Sequence, residues 1–368
     1  MKKRYVFLIA MIPILICVIS LLWYRSRPLP EPTATPRPKL LATATVPPAK
    51  VASRDPSWSP DGKKIAYILI EDAIPSIQVH ELETGEQTTI FKDANEIVGL
   101  EWSPGRDQIA FNARLEEENV FQLYTIRTDG TQLQQLTNDE GGSAFLTWSP
   151  DGQKIVFLIY NQVDNHALIY MINPDGTNQE LLTKAYNPRY LSFSPDRKRI
   201  MYTTEGDSVI NIKNIETGED ALFSEEEHAV LSWPIWSPDG KWIAYTVHSR
   251  LRGEIHLLDP SNREIVELTN MSQEDKMLAW SPDSQTIAFQ RSKPPESSMG
   301  DIYLIDVNGQ NLRQLTDTPF DEFKCLWSPD GEWIAITLED PMPPFWDIYL
   351  IRVDGSGMYR LRDNMPYP

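Results

Sequence analysis

One phrase recurs through most of this chain and limits what it can fold into. It reads Trp58-Ser-Pro-Asp-Gly62, Trp102-Ser-Pro-Gly-Arg106, Trp148-Ser-Pro-Asp-Gly152, Phe193-Ser-Pro-Asp-Arg197, Trp236-Ser-Pro-Asp-Gly240, Trp280-Ser-Pro-Asp-Ser284 and Trp327-Ser-Pro-Asp-Gly331. The leading aromatics are 44, 46, 45, 43, 44 and 47 residues apart. A period of that size belongs to a solenoid, a propeller or a repeat array.

Each unit has a physical reading. In Ser-Pro-Asp-Gly, proline presets φ for the second turn position, Asp takes the third, and Gly accepts positive φ where the next strand begins. Strand-like residues follow, as in Lys64-Ile65-Ala66-Tyr67 and Trp242-Ile243-Ala244-Tyr245. After a variable loop comes a third apolar strand, such as 121–126 or 301–305, and then a second turn at Asp129-Gly130, Asp175-Gly176, Asn308-Gly309 or Asp354-Gly355. A last short strand ends in Leu-Thr, at Leu136-Thr137, Leu268-Thr269 and Leu315-Thr316. Four strands per repeat is propeller arithmetic, and the density of turns leaves no room for helices of ten residues.

The repeat aromatics Trp58, Trp102, Trp148, Phe193, Trp236, Trp280 and Trp327 are read as core wedges between neighbouring sheets. Arg106, Arg197 and Ser284 replace the turn glycine, and Gly105 replaces the Asp, so those turns are either strained or rearranged, Gly105-Arg106 foremost. The expectation is an all-β, seven-bladed propeller over residues 51–368, with six blades plus an irregular unit as the alternative. Each blade runs from its aromatic-bearing strand to its Leu-Thr strand, the last ending near Leu361, so the ring closes without an outer strand borrowed from the N-terminus. Residues 40–46 are the one stretch there able to add an edge strand.

The phrase Trp-Ser-Pro-Asp-Gly-x-x-Ile-Ala-Phe/Tyr, followed by Ile-Tyr, Asp-Gly and Leu-Thr, resembles the TolB-type or WD40-like β-propeller repeat. That repeat also occurs in the propellers of prolyl oligopeptidase and dipeptidyl peptidase IV-type proteins. The resemblance covers nearly all of residues 51–368 and implies an architecture rather than one activity. The family's namesake, a periplasmic partner of envelope proteins, carries an α/β domain ahead of its propeller. Residues 28–50 are too few and too rich in proline for such a domain.

The first fifty residues are different in kind. Lys2, Lys3 and Arg4 precede an uncharged run from Tyr5 to Tyr24, long enough at about 1.5 Å per residue to cross a bilayer as a helix. Trp23 and Tyr24 fall at an interfacial belt, with Arg25 and Arg27 outside it. The run ends without the small residues of a cleavage site, so residues 1–27 are read as an uncleaved single-pass anchor with the propeller on the extracytoplasmic side. Residues 28–50, with seven prolines between Pro28 and Pro48, are read as an extended stalk.

Charge excludes one function class. The eight basic residues and one acid before Val51 leave residues 51–368 at −25, against −18 for the whole chain. So acidic a body is unsuited to nucleic acid. Cys17 and Cys325 are too few and too distant for a disulfide framework.

Catalytic signatures are missing. There is no Gly-x-Ser-x-Gly elbow, no domain of hydrolase size after Leu361, no phosphate loop and no His or Cys pair spaced for zinc. Of the five histidines, His80 and His256 are assigned to third strands, His166 and His228 to loops, and His248 faces His256 across one loop. Acidic clusters at Glu116, Glu117 and Glu118, at Glu225, Glu226 and Glu227, and at Glu339-Asp340 belong to loops that open on one face. They read as a solvated surface, or else as a calcium site or a basic partner's footprint. Phe345 and Trp346 in a Pro-stiffened loop, with Phe320 and Phe323 ahead of the last unit's first strand, are candidate binding anchors.

The function expected from these features is non-enzymatic binding of an envelope protein, peptide or glycan by a membrane-anchored propeller. The alternatives are a carbohydrate lyase or hydrolase working in the central channel, and a subunit of a larger envelope complex.

Overall fold

The computed structural model describes residues 51–115, 118–160, 166–204, 209–224, 230–249, 252–270, 273–292, 299–339 and 346–367. The expected anchor, stalk and edge strand at 40–46 lie outside them. Among the described residues every regular element is a strand, and no helix is long and apolar enough to cross a membrane.

The strands form seven antiparallel sheets, each built from strands consecutive in sequence. The blades begin with the strands Val51–Trp58, Glu96–Trp102, Ser143–Trp148, Pro188–Phe193, Val230–Trp236, Asp275–Trp280 and Asp321–Trp327, and are numbered in that order. Seven hydrophobic clusters fill the seven spaces between neighbouring blades, including the space between blades 7 and 1. The ring is closed, and blade 1 keeps all four of its own strands.

The repeat residues do what local physics asks of them. Gly62 (φ 70°) donates its N–H to the Ser59 carbonyl at 2.9 Å, closing the turn around Pro60 and Asp61. The Ser59 hydroxyl donates to Asp61 at 2.6 Å and accepts the Lys64 N–H at 2.9 Å, which ties the turn to the next strand. Arg197 and Ser284 keep the conformation at φ 65° and 62° despite carrying side chains. At Gly105-Arg106 neither residue takes positive φ. Gly105 is there because a Cβ would stand 2.5 Å from the Asp151 carbonyl oxygen of the next blade's turn. With no Asp to receive it, the buried Ser103 hydroxyl is left without a partner.

Two expectations need correction. Leu-Thr does not end the fourth strand; it follows a strand of two or three residues, such as Gln134–Gln135 or Ile265–Glu267. There the threonine hydroxyl accepts a third-strand N–H, Thr137 from Leu123 at 2.9 Å and Thr316 from Ile302 at 2.8 Å. The last blade also continues past Leu361 into a fifth strand, Met365–Pro366, paired with Tyr359–Arg360.

The aromatics are wedges as expected. Trp102, Trp148, Phe193, Trp236 and Trp280 are buried, and Trp58 and Trp327 are half-buried. Four of the indoles reach the previous blade: Trp148 Nε1 donates to the Glu101 carbonyl at 3.2 Å, Trp280 to Ile235 at 3.2 Å, Trp327 to Ala279 at 3.2 Å, and Trp58 to Leu326 at 3.3 Å.

Candidate functional site: the lining of the central channel

Of the expected binding residues, Glu116, Glu117, Glu225, Glu226 and Phe345 lie outside the described residues. Trp346 is half-buried and opens the third strand of blade 7, paired with Glu339. Phe320 is half-buried and packs against the cluster between blades 6 and 7. Phe323 does not precede the first strand of blade 7 but lies inside it, opposite Thr337. The register sets Phe320, Phe323 and Trp346 at one end of blade 7, where Asp321, Glu339 and Trp346 pair in succession.

Something else is brought together. First strands of neighbouring sheets touch one another from blade 1 to blade 7, and Lys324 of the last meets Asp55 of the first, which makes these strands the inner wall of the ring. Every first strand slips register at the same place, as at Arg54/Ser57, Val98/Glu101, Arg189/Ser192 and Phe323/Leu326. Two residues there oppose one, a β-bulge that turns a side chain out of the normal alternation. The turned residue lies three before the repeat aromatic, and its φ is positive in Asp55 (54°), Gly99 (61°), Phe145 (49°), Tyr190 (54°), Trp233 (50°) and Lys324 (48°). The residue after it returns to the packing between blades, as Leu100, Leu146 and Cys325 do. The bulge side chains therefore project to the other side, toward the axis.

Contacts around the wall agree. Lys324 Nζ lies 2.7 Å from Asp55 Oδ1, joining blades 7 and 1. Arg54 donates to the Ile97 carbonyl of blade 2 at 3.0 Å. The Tyr190 and Trp233 rings of blades 4 and 5 are 5.9 Å apart, and the Tyr190 hydroxyl is bonded to Ser232. Lys324 also acts electrostatically on Glu101 of blade 2, across the width of blade 1.

The lining is divided. Blades 3 to 5 present Phe145, Tyr190 and Trp233. Blades 7, 1 and 2 present Lys324, Arg54, Asp55 and Glu101. Burial alone lifts a carboxyl, but the Lys324 ammonium and Arg54 guanidinium hold Asp55 below its ordinary range. Glu101 goes the other way: burial pushes it up to about 7, against the Trp148 N–H it accepts at 3.3 Å and the pull of Lys324. Two carboxyls in one wall are thus driven apart in acidity.

The remaining buried acids are structural. Arg291 Nε and its terminal nitrogen each lie 2.7 Å from an Asp275 oxygen, a bidentate pair inside blade 6. Glu322, pushed up to about 7 by burial, accepts the Ile302 N–H and a Thr318 hydroxyl. The histidines do not converge. His80 is buried in a third strand; His256 is bonded to Glu254 and His248 to Thr246; His166 opens a strand rather than lying in a loop, and His228 is outside the described residues. Among the described residues no three His, Cys, Asp or Glu side chains are grouped to hold a metal ion.

The sequence reading missed this lining because its column has no constant residue. Aligning the seven units on their aromatics would have exposed it as a variable position followed by a mostly apolar one.

The profile of the TolB beta propeller domain matches residues 44–162, 155–296 and 234–365, and the chain belongs to that family. A Tol-Pal system protein TolB of Hahella chejuensis is 50% identical over 42 residues, 11% of this chain and 10% of that protein. The chain spans less than about a third of the length of the curated relatives it matches. Among solved structures, an oligogalacturonate lyase in complex with manganese superposes with a TM-score of 0.66 at 15% identity, over 83% of this chain and 91% of that one. TolB from Acinetobacter baumannii gives 0.53 at 18%, over 76% and 74%. At such identities the likeness is one of fold.

Proposed function

We propose that this member of the TolB β-propeller family is a non-enzymatic binding protein that receives part of an envelope partner in its central channel. The observation that carries the reading is the bulge ring. All seven first strands slip register at this place, and the bulge residues of blades 1 to 5 and 7, Asp55, Gly99, Phe145, Tyr190, Trp233 and Lys324, are unalike where the rest of the repeat is uniform. A scaffold alone has no use for that variety, whereas recognition requires it. The 5–24 segment and the 28–50 stalk supply the rest of the proposal: a propeller tethered on the extracytoplasmic side, facing partners of the cell envelope.

The test is a photo-reactive amino acid placed at Phe145 in the full chain in native membranes, with Leu222 on the outer edge of blade 4 as control. Adducts with an envelope component from Phe145 and not from Leu222 support the reading. Equal adducts from both, or none from Phe145, remove it.

One observation favours a second reading. Glu101 near 7 and Asp55 held low are two carboxyls of divergent acidity in the first strands of neighbouring blades, both acted on by Lys324, which suits a general acid and a charged group in a lyase or hydrolase. Incubation with acidic polysaccharide, followed by assay for unsaturated or reducing ends, decides it; an absence of product that Glu101→Gln leaves unchanged disposes of it.

A further inference from the structure

The interface between blades 7 and 1 differs from the other six in how it is held. The chain passes from each blade to the next across those six, whereas blades 7 and 1 are its last and first, and no loop joins them. Side chains hold this seam. The Ser53 hydroxyl is bonded to Ile348 and Asp347, the Trp58 indole to the Leu326 carbonyl and the Gln87 amide to the Arg362 carbonyl, around an apolar cluster that includes Ile65, Leu350 and Leu361.

His80 lies in that seam. It pairs with Ile65 across the second and third strands of blade 1, so its ring shares the face that Ile65 turns toward blade 7. The residue paired with the matching isoleucine in blades 2, 3, 5, 6 and 7 is apolar: Ile126, Ile172, Leu258, Ile305 and Ile351. In blade 4 it is Lys213, whose ammonium reaches the Gly218 carbonyl and Asp220. His80 has no such outlet. It is fully buried, and among the described residues neither ring nitrogen has a hydrogen-bond partner. A neutral imidazole is tolerated there at some cost, but an imidazolium would be a buried charge with nothing to pair it.

The surroundings offer no compensation. Gln87, opposite His80 on the fourth strand, is neutral and already accepts the Tyr67 hydroxyl and donates to Arg362. Burial makes Tyr67, and Tyr359 of blade 7, hold their protons more firmly than usual. Arg352 is stacked on Trp333 of the same cluster and paired with Glu332. Arg362, Asp347, Asp363 and Glu71 act on Tyr67, whereas burial alone acts on His80 and lowers its pKa. Asp347 is paired with Arg360 and Arg362, and burial raises its carboxyl, so mild acid removes its charge instead of turning it into a counter-ion for His80.

We propose that His80 is a proton-operated release for the ring: on taking up a proton its imidazolium leaves the apolar seam for water, and the interface between blades 7 and 1 opens, parting Lys324 from Asp55 in the channel wall. An exposed imidazole of ordinary pKa, about 6.5, is about ten to one protonated at pH 5.5, so the open form gains about tenfold between pH 7.5 and 5.5.

Hydrogen exchange read by mass spectrometry on the full chain in detergent micelles at those two values, corrected for the intrinsic pH dependence of exchange, tests this. Segments 74–91 of blade 1 and 346–360 of blade 7 should exchange about tenfold faster at pH 5.5, with the third and fourth strands of blades 2 and 3 unchanged. His80→Leu, which supplies the residue type of blade 5, should abolish the gain. His80→Gln, polar but uncharged at both values, carries the test if His80→Leu does not fold. A gain spread evenly over all blades, a gain that persists in the folded variant, or no gain at pH 5.5 overturns the proposal.

Discussion

Ser53 Oγ accepts the backbone N–H of Ile348 at 3.0 Å, joining blade 1 to blade 7 across the place where the ring meets itself. In blades 2, 5 and 6 the matching N–H is met by the blade's own threonine, Thr137, Thr269 or Thr316. Blade 7 has Arg362 after Leu361, so it lacks that hydroxyl. The same Ser53 hydroxyl donates to Asp347 at 3.0 Å. Ser53 thus supplies across the seam a hydrogen bond that blades 2, 5 and 6 make within themselves.

Ser53→Ala should therefore act on closure. It leaves a buried N–H unpaired and strips one donor from Asp347, a loss of about 1–2 kcal/mol in denaturant unfolding. Thr137→Ala should cost a similar amount within blade 2. What separates them is amide hydrogen exchange: Ser53→Ala speeds exchange at Ile348 and its neighbours, and Thr137→Ala does not. Unchanged protection at Ile348 would show that the hydrophobic cluster between blades 7 and 1 closes the ring unaided.

The indoles allow a sharper comparison. Trp148 Nε1 is bonded to the Glu101 carbonyl, whereas Trp236 Nε1 is buried with no partner. Phe193 already shows that the wedge accepts a phenyl ring. Trp148→Phe gives up a hydrogen bond as well as volume and should cost about 2 kcal/mol. Trp236→Phe gives up an unsatisfied donor and should cost about 1 kcal/mol less. Denaturation midpoints decide, and a reversed order would mean that volume alone governs the site.

What was legible in the sequence was what local rules fix. A Ser-Pro-Asp-Gly turn needs only its own residues, and a wedge repeated at one place in every unit declares its role, so blades, turns and closure mode were readable from Trp58 to Leu361. The bulge was not, because it arises from pairing: nothing in Arg54-Asp55-Pro56-Ser57 says that two residues will oppose Tyr67 alone. The setting of Phe320 and Phe323 was hidden for a related reason. Residues near Pro319 read as a loop until the first strand of blade 7 is found to begin at Asp321, which leaves Phe320 half-buried against the cluster between blades 6 and 7 and sets Phe323 within the strand.

Gly105 is a turn position with little room to change. Its missing Cβ admits the Asp151 carbonyl, a backbone atom that cannot swing aside. Gly105→Ala must push the turns of blades 2 and 3 apart, at a cost of about 1–3 kcal/mol. Arg197→Gly is the converse: it relieves a positive φ of 65° and gives up only a surface pairing with Asp151. It should leave stability unchanged or raise it by up to about 1 kcal/mol. Calorimetric melting of the two variants tests the pair, and a harmless Gly105→Ala would mean that the turns are not packed against each other.

Cys325 offers a reporter for opening of the wall. Burial pushes its thiol up to about 12, and its side chain belongs to the cluster between blades 6 and 7. In a Cys17→Ser background, thiol reagent at pH 8 should label it only as fast as the structure opens. Ser53→Ala should then accelerate labelling by about tenfold, following its loss of stability. Rapid labelling of the folded parent would place the thiol outside the core.

Acidity gives the last test of the wall. Glu101 ionises near 7 when folded and in the ordinary carboxyl range when unfolded, so between those values the folded chain holds the extra proton. Its burial therefore costs stability as pH rises through 7, and the cost fades as pH falls toward 4.5. His80 works in the opposite sense: burial lowers its pKa, so the unfolded chain takes the proton first and stability is lost as pH drops below about 6.5. The two trends oppose each other in the parent, and only single variants separate them. Glu101→Gln keeps an acceptor for the Trp148 N–H and removes the ionisation, so it should exceed the parent by about 2 kcal/mol at pH 8 and match it near pH 5. His80→Leu should gain on the parent as pH falls from 7 to 5 and not above. Unfolding measured at pH 5, 6, 7 and 8 distinguishes them; a Glu101→Gln advantage that is flat across this range would mean that the carboxyl is solvated and that the channel wall is wet at that point.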